Sequence, residues 1–337
     1  MAVETANSKR QTANGNGLSA DISRFGRIGV LMGGPSTERE ISLKSGKAVY
    51  ESLKGLGLEV AAIDIKTAGI KENIDLIRSS GIDCAFLALH GRFGEDGQIQ
   101  AILDEIGIPY TGSGVKASML AMDKVASRLI FQAQGIAVPR YEVVRKNAGV
   151  SNAGFSSAFS FPLVVKPVAH GSSVGLSIVD KKQDLPAAIA LAFSFDDKII
   201  IEEYIRGREV TVGILDENVL PVIEIIPKKR FFDYEAKYQH GLTNYIVPAE
   251  LDAAVTVDLG RKALGAHKAL GCFGCSRVDI ILADGNIPFV LEVNTIPGFT
   301  ETSLLPKAAK VAGIGFAQLC VKLIQLAYDK AKTKAAS

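Results

Sequence analysis

The sequence predicts an α/β domain of Rossmann-like character followed by a strand-rich α+β region. Two observations carry this. Strands and amphipathic helices alternate over residues 27–110, which implies a parallel sheet. From residue 208 onward strands dominate, with only a few helices between them. A third observation concerns the loops: 33 of 337 residues are Gly but only 12 are Pro. Excess Gly without excess Pro points to special loops rather than disorder. At roughly 150 residues per domain the length suggests about two domains. Setting aside residues 1–25, whose biased Ala/Asn/Ser/Thr/Gly composition predicts a disordered tail, and following the change of character gives three smaller ones, 26–112, 113–201 and 202–337, the last with a loop at 227–245.

The elements follow in order. Residues 27–32 form a short apolar strand, and Gly33-Gly34-Pro35-Ser36 turns the chain. Thr37 and Glu40 have capping-box spacing ahead of a helix to about residue 56. Strand 59–65, helix 70–79, strand 83–89, helix 98–106 and strand 108–110 follow. In such sheets ligands bind at the C-terminal ends of strands, here loops 33–38 and 90–97. A helix over 115–134 precedes strands at 141–144, 162–166 and 176–179, then helix 185–193 and strand 198–204. Strands 209–215 and 219–226, helix 253–270, a hairpin at 276–293 and a last helix at 315–330 complete the chain.

Charge and composition exclude several classes. Lys+Arg is 38 and Asp+Glu is 36, so the net charge of +2 argues against nucleic-acid binding through bulk charge. Mean hydropathy is +0.21, yet no apolar run reaches the roughly 18–20 residues of a membrane span. Residues 1–25 lack the apolar segment of a secretory signal and make a poor transit peptide, so a cytoplasmic protein is expected. Four cysteines are too few for a disulfide framework. Cys272 and Cys275 have zinc or redox spacing, but without a second ligand pair they equally fit two small residues leading into a buried strand.

The hairpin gives the sharpest inference. With Gly285-Asn286 as a two-residue turn, Val278 faces Val293, Ile280 faces Leu291 and Leu282 faces Phe289. That face is wholly apolar. On the other, Asp279 faces Glu292 and Arg277 faces Asn294, and a one-residue slip would destroy both patterns. Carboxylates directly opposite each other repel. A cation between them, or protonation of one, resolves the conflict. Two carboxylates and an amide oxygen form a hard ligand set suited to Mg²⁺, which usually completes its shell with water and phosphate. The plain alternative is a solvated face with Arg277 paired to Asp279 or Glu292.

Other runs carry chemistry. Lys166-Pro167-Val168-Ala169-His170-Gly171-Ser172-Ser173-Val174-Gly175 suits a flap whose N–H groups cradle phosphate, though no Walker A pattern occurs. Its GxSxG could be a hydrolase nucleophile elbow on Ser173, but a strand rather than a helix is expected after it. Glu202 and Glu203 end an apolar run that contains no Lys or Arg to pair with them; strand-end acids can accept from ribose hydroxyls or simply face solvent. The cationic, aromatic run 228–238 could cover a nucleotide, or contact RNA. His90 opens a Gly-rich loop at a strand end, as a loop anchor or a site residue.

An ordered set of motifs then carries a resemblance. Gly33-Gly34…Glu38-Arg39-Glu40, His90-Gly91…Gly94-Glu95-Asp96-Gly97, Met122-Asp123-Lys124, Lys166-Pro167…Gly171-Ser172-Ser173-Val174-Gly175, Asp233-Tyr234-Glu235-Ala236-Lys237-Tyr238, Arg277-Val278-Asp279 and Glu292-Val293-Asn294-Thr295…Pro297-Gly298 occur in that order. Together they resemble the D-alanine–D-alanine ligases of the ATP-grasp superfamily over about residues 26–330. The resemblance implies an N-terminal (pre-ATP-grasp) α/β domain and two domains gripping ATP. It implies phosphorylation of one D-alanine carboxylate, attack by the amine of a second, and release of ADP and phosphate.

Residue by residue, the resemblance implies that Asp279, Glu292 and Asn294 bind two Mg²⁺ ions, for which Mn²⁺ is a stand-in. Lys124 and Lys166 hold phosphates, Lys237 closes over them, and Ser173 and Phe231 join the ATP site. Glu202, Glu203, Ile205 and Glu209 line the adenosine site. Arg277 and the N–H of Gly298 steady the oxyanion, and Glu38 takes the first ammonium. His90 belongs to the substrate site, and Ser303 and Leu304 flank the second substrate. Tyr238, Ser172 and Glu38 form a latch over the site. Two departures matter: Phe232 stands where many members have Tyr, and Glu203 where some have Lys. The keeping of Tyr238 favours an amine acceptor over D-lactate, with D-alanyl-D-lactate or D-alanyl-D-serine formation as the alternatives. A homodimer, a small-molecule substrate, and neither nucleic acid nor membrane as partner complete the expectation.

Overall fold

The computed structural model describes residues 22–146, 159–228 and 243–336. The chain opens on a parallel sheet of β1 (Arg27–Gly33), β2 (Glu59–Ile65) and β3 (Cys84–Leu87), ordered β2-β1-β3. Alternation along β1 sets its two faces. Ile28, Val30 and Met32 pack with Val49 and Leu53 of α1 (Arg39–Gly55). Leu31 packs oppositely with Ile77 of α2 (Ile70–Ser79) and Ile99 and Leu103 of α3 (Gln98–Ile106). A Cβ on Gly46 would lie 2.4 Å from the Met32 Cβ, so only Gly lets α1 approach β1 this closely. The strand expected at 108–110 reduces to one bridge, Ala85 to Tyr110.

The helix expected over 115–134 is two helices, α4 (Val115–Met122) and α5 (Lys124–Ala133). Asp123 breaks it. Its backbone is extended, and its carboxylate accepts from the N–H groups of Val125 and Ala126 at 2.8 and 3.0 Å. An Asx cap of this kind offers the backbone an alternative to helix.

A four-stranded antiparallel sheet follows, β4 (Tyr141–Arg145), β5 (Leu163–Pro167), β6 (Ser177–Val179) and β7 (Lys198–Glu203), ordered β4-β7-β5-β6. Leu163, Val165, Ile199 and Ile201 bury one face against α6 (Leu185–Phe193). Val164, Lys166 and Glu202 therefore share the other.

The largest sheet holds β8 (Gly207–Leu215), β9 (Asn218–Val219), β10 (Ile223–Pro227), β11 (Thr243–Ile246), β12 (Cys275–Ala283) and β13 (Ile287–Asn294). Its order is β11-β10-β8-β12-β13, with β9 on β8. The strand expected at 219–226 is interrupted, as Pro221 has no N–H for a ladder. Val210, Val212, Val278, Ile280 and Leu282 pack against α7 (Ala253–Ala269). Two helices close the chain, α8 (Leu304–Val311) and α9 (Phe316–Ala336); α8 is absent from the sequence reading. Among the described residues no single helix is long and apolar enough to cross a membrane.

All four cysteines are free. Burial pushes the thiols of Cys84, Cys272 and Cys275 up to about 12. Among the described residues no third His, Cys, Asp or Glu joins Cys272 and Cys275 in a metal-binding group, and Cys275 opens a buried strand.

Candidate active site

The site lies between the two antiparallel sheets, which line one cavity together. On the β12–β13 hairpin Arg277 faces Asn294, Val278 faces Val293 and Asp279 faces Glu292. Beyond Asp279 the register shifts by one, and the expected pairs Ile280–Leu291 and Leu282–Phe289 do not form. Ile280 faces Val290, Ile281 faces Phe289 and Leu282 faces Pro288. Leu291 is the extra residue of a β-bulge. It leaves the core, where Val290 takes its place fully buried. Leu291 instead joins Glu292 and Ile281 on the cleft wall. The turn correspondingly has three residues, Asp284–Asn286, with Gly285 and Asn286 at φ 74° and 60°.

The opposed acids are each met by a cation from the chain. Asp279 accepts from Arg277 Nε and Nη2 at 2.9 and 2.8 Å, Thr211 Oγ1 at 2.6 Å and Asn294 Nδ2 at 3.0 Å. Thr211 is its ladder partner on β8. Lys124 Nζ lies 3.4 Å from Glu292 and donates to the His170 carbonyl at 2.6 Å. The Asp123 break sets Lys124 at the first position of α5, facing the cleft.

One cavity of about 460 Å³ is lined by Lys124, Lys166, Ser173, Glu202, Glu203, Tyr204, Ile205, Glu209, Asp279, Leu291 and Glu292 among others. Lys166 Nζ pairs with Glu202 at 2.8 Å, a diagonal contact across β5 and β7. Burial pushes the Lys166 amine down to about 8 against the pull of Glu202, with Arg128 and Lys124 adding to the fall. Burial alone would raise the Glu202 carboxyl, but Arg128 and Lys166 hold it below the usual carboxylate range. The cations missing from the Glu202 run thus come from α5 and β5. Glu203 instead pairs with Arg140 on its Nε and backbone N–H, each at 2.9 Å. Ser173 is followed by strand β6, not by a helix, so it does not stand on a nucleophile elbow.

A second cavity, also about 460 Å³, holds Glu38, Ser45, His90, Glu95, Ser172, Arg277, Asn294, Gly298, Ser303, Leu304 and Lys307. The expected Thr37–Glu40 capping box does not form. Glu38 itself caps α1 but makes no side-chain cap bond, because its carboxylate accepts from Ser172 Oγ in the flap. Gly91 adopts φ +70°, a conformation that favours Gly, and a Cβ there would lie 2.7 Å from Glu38 Oε2. His90 is buried; Nε2 meets Ser45 Oγ at 2.9 Å, and Nδ1 lies 3.8 Å from Glu95. Burial, with Glu38 nearby, raises the Glu95 carboxyl, while His90 and Arg277 oppose it. The Phe299 N–H, next to Gly298, donates to Ser45 at 3.2 Å. Ser303 caps α8 in position, its Oγ meeting the Thr300 N–H at 3.0 Å.

Tyr238, Lys237, Phe231 and Phe232 lie outside the described residues. Sequence reasoning missed Arg128, Thr211, Ser45, Glu95 and Lys307. For Arg128 a signal existed: a buried strand-end acid requires a cation somewhere.

Residues 70–113 match the D-ala D-ala ligase N-terminus family, and residues 130–325, more than half the chain, match the D-ala D-ala ligase C-terminus family. The chain belongs to the D-alanine–D-alanine ligase family. Within that family, the D-alanine–D-alanine ligase of Geotalea uraniireducens is 45% identical over 310 residues, 92% of this chain and 98% of its own. The crystal structure of D-alanine–D-alanine ligase from Bacillus anthracis complexed with ATP is 36% identical at a TM-score of 0.81, covering 91% of this chain and 99% of that one. VanG D-Ala:D-Ser ligase from Enterococcus faecalis is 34% identical at a TM-score of 0.77, over 90% and 99% of the two chains. The ligase family's ATP-grasp architecture accounts for the cleft between the two antiparallel sheets.

Proposed function

We propose that this protein joins two D-alanines to D-alanyl-D-alanine with ATP as the energy source, supplying a cell-wall precursor in the cytoplasm. The observation that supports it most is the shared sheet face. Asp279 and Glu292 line the first cavity, while Arg277 and Asn294, two residues along each strand, line the second. A nucleotide's last phosphate and a carboxylate substrate can therefore meet over one hairpin.

A carboxylate oxygen is a poor leaving group, so it is first activated. An oxygen of the first D-alanine attacks the terminal phosphorus, and ADP leaves with the electron pair of the broken P–O bond. The amine of the second D-alanine, once it has lost a proton, attacks the acyl carbon, and the tetrahedral adduct expels phosphate. Glu38 takes the first ammonium, and Arg277 with the Gly298 N–H stabilises the adduct's oxyanion, a contribution of about 3–4 kcal/mol per donor. Ser303 and Leu304 flank the second D-alanine. Lys124 and Lys166 hold phosphates, joined by Ser173 and by Lys237 and Phe231. Glu202, Glu203, Ile205 and Glu209 line the adenosine end. Tyr238, with Ser172 and Glu38, closes the site against water.

Asp279, Glu292 and Asn294 offer hard oxygen donors on one face, a set that fits Mg²⁺ and admits Mn²⁺. Bound there, two such ions would neutralise phosphate charge. The working form is a homodimer, each chain divided at 26–112, 113–201 and 202–337.

Purified protein with ATP and Mg²⁺ should release ADP only when D-alanine is present, one dipeptide per ADP. D-alanine-independent ADP release, or none, would overturn the reading. The likeness to VanG keeps D-serine as the second candidate acceptor. Competition among D-alanine, D-serine and D-lactate across pH separates the three, and sizing chromatography tests the dimer.

A further inference from the structure

Arg128 is the bulkiest of the completely buried side chains, at 0% exposure. It stands on α5 one turn beyond Lys124. Its guanidinium forms an ion pair with Glu202 at 2.5 Å and lies 5.1 Å from the centre of the Tyr141 ring. None of its nitrogens completes an aligned hydrogen bond among the described residues. The other Glu202 oxygen meets Lys166 at 2.8 Å. One buried carboxylate thus serves two cations, of which Lys166 lines the nucleotide cavity and Arg128 does not.

We propose that Arg128 is a positioning residue of the nucleotide site: by holding Glu202 permanently, it lets Lys166 leave that carboxylate for a nucleotide phosphate. The inference rests on the reading of the first cavity as an ATP site. A buried carboxylate stripped of its sole partner is strongly destabilised. Were Lys166 the sole partner, every nucleotide binding event would strand Glu202. With Arg128 in place Glu202 stays paired whichever way Lys166 turns. The charged groups facing Lys166 are Glu202 from β7 and Arg128 and Lys124 from α5, with Glu292 of β13 beyond Lys124. Arg128 also lowers the Lys166 amine, which titrates at about 8.

Arg128→Met therefore has two consequences of opposite sense. Nucleotide affinity near neutral pH falls, because Lys166 is now bound to Glu202 alone. The loss of affinity at high pH moves upward, because Lys166 is freed from a like charge. A purely structural role for Arg128 would lower the melting temperature but leave that pH limb in place.

The test is calorimetric titration of the full chain with Mg-ADP from about pH 6.5 to about 9.5, a window that brackets the Lys166 amine. Arg128→Met should bind ADP about tenfold or more weakly at neutral pH, with its alkaline limb at higher pH than the wild type. Arg128→Lys, which keeps the charge on Glu202, should restore most of the affinity. Should Arg128→Met fail to fold, Arg128→Gln carries the same comparison. Unchanged affinity, or weakened affinity with an unmoved limb, overturns the inference while leaving the ATP site standing. A wild-type protein that does not bind ADP overturns the ATP reading itself.

Discussion

Arg277 and Asp279, two residues apart on one face of β12, meet through paired hydrogen bonds of 2.9 and 2.8 Å. The pair is largely buried, and Thr211 and Asn294 also donate to the carboxylate. Asp279→Asn keeps the shape and removes the charge that pairs with Arg277. It should lower stability by about 2–3 kcal/mol in denaturant titration. Mg²⁺-dependent ADP release should fall about a hundredfold or more. Turnover close to wild type would remove Asp279 from the metal set.

The bulge at Leu291 allows a sharper stability test. In a regular hairpin Leu291 would be core and its truncation costly. Because Leu291 faces the cleft and Val290 is fully buried, Val290→Ala should cost more stability than Leu291→Ala, about 2–3 against under about 1.5 kcal/mol. Leu291→Ala should instead weaken nucleotide binding in the titration. The reverse ranking would contradict the bulge.

Asp123 both caps α5 and pairs with Lys198 at 3.0 Å. Asp123→Ala should cost about 1–2 kcal/mol. Since the broken backbone aims Lys124 at the cleft, KM for ATP should rise more than KM for D-alanine in steady-state assays. Unchanged KM values would mean that the cap matters for stability alone, and equal rises in both would mean that it does not aim Lys124 at the nucleotide.

His267 supplies a pH signature away from the site. It is buried against Ser276 Oγ at 2.7 Å, and desolvation lowers its imidazole from 6.5 to about 4. The unfolded chain therefore takes up this proton first as pH falls. The stabilisation is fully present above about pH 6.5 and is lost as pH drops toward 4, a swing of about 3 kcal/mol. Denaturant midpoints measured down this range should flatten in His267→Asn. An unchanged slope would assign acid lability to other groups.

Much of the site was legible because strand alternation is simple. The period of two put Arg277, Asp279, Glu292 and Asn294 on one face. What escaped was governed by partners distant in sequence or by local chemistry inside an apolar pattern. The bulge was invisible because Val290 and Leu291 are both apolar and either can fill the core. The break at Asp123 hid because its cause is one side chain accepting from the next two N–H groups, which no periodicity registers. Arg128 and Glu202 lie 74 residues apart (202 − 128), so no local pattern links them. Pro306 in the first turn of α8 masked a short helix, although proline is tolerated there.

The two opposed acids have one more consequence. Arg277 already balances Asp279, and Lys124 stands against Glu292. The electrostatic conflict is thus resolved inside the polypeptide, and the scaffold matures without borrowing an ion. A chelator should therefore silence such a protein without melting it, the opposite of a zinc finger, whose fold is its metal. Ions can then arrive together with the nucleotide, so that charge on the hairpin changes hands as substrates load.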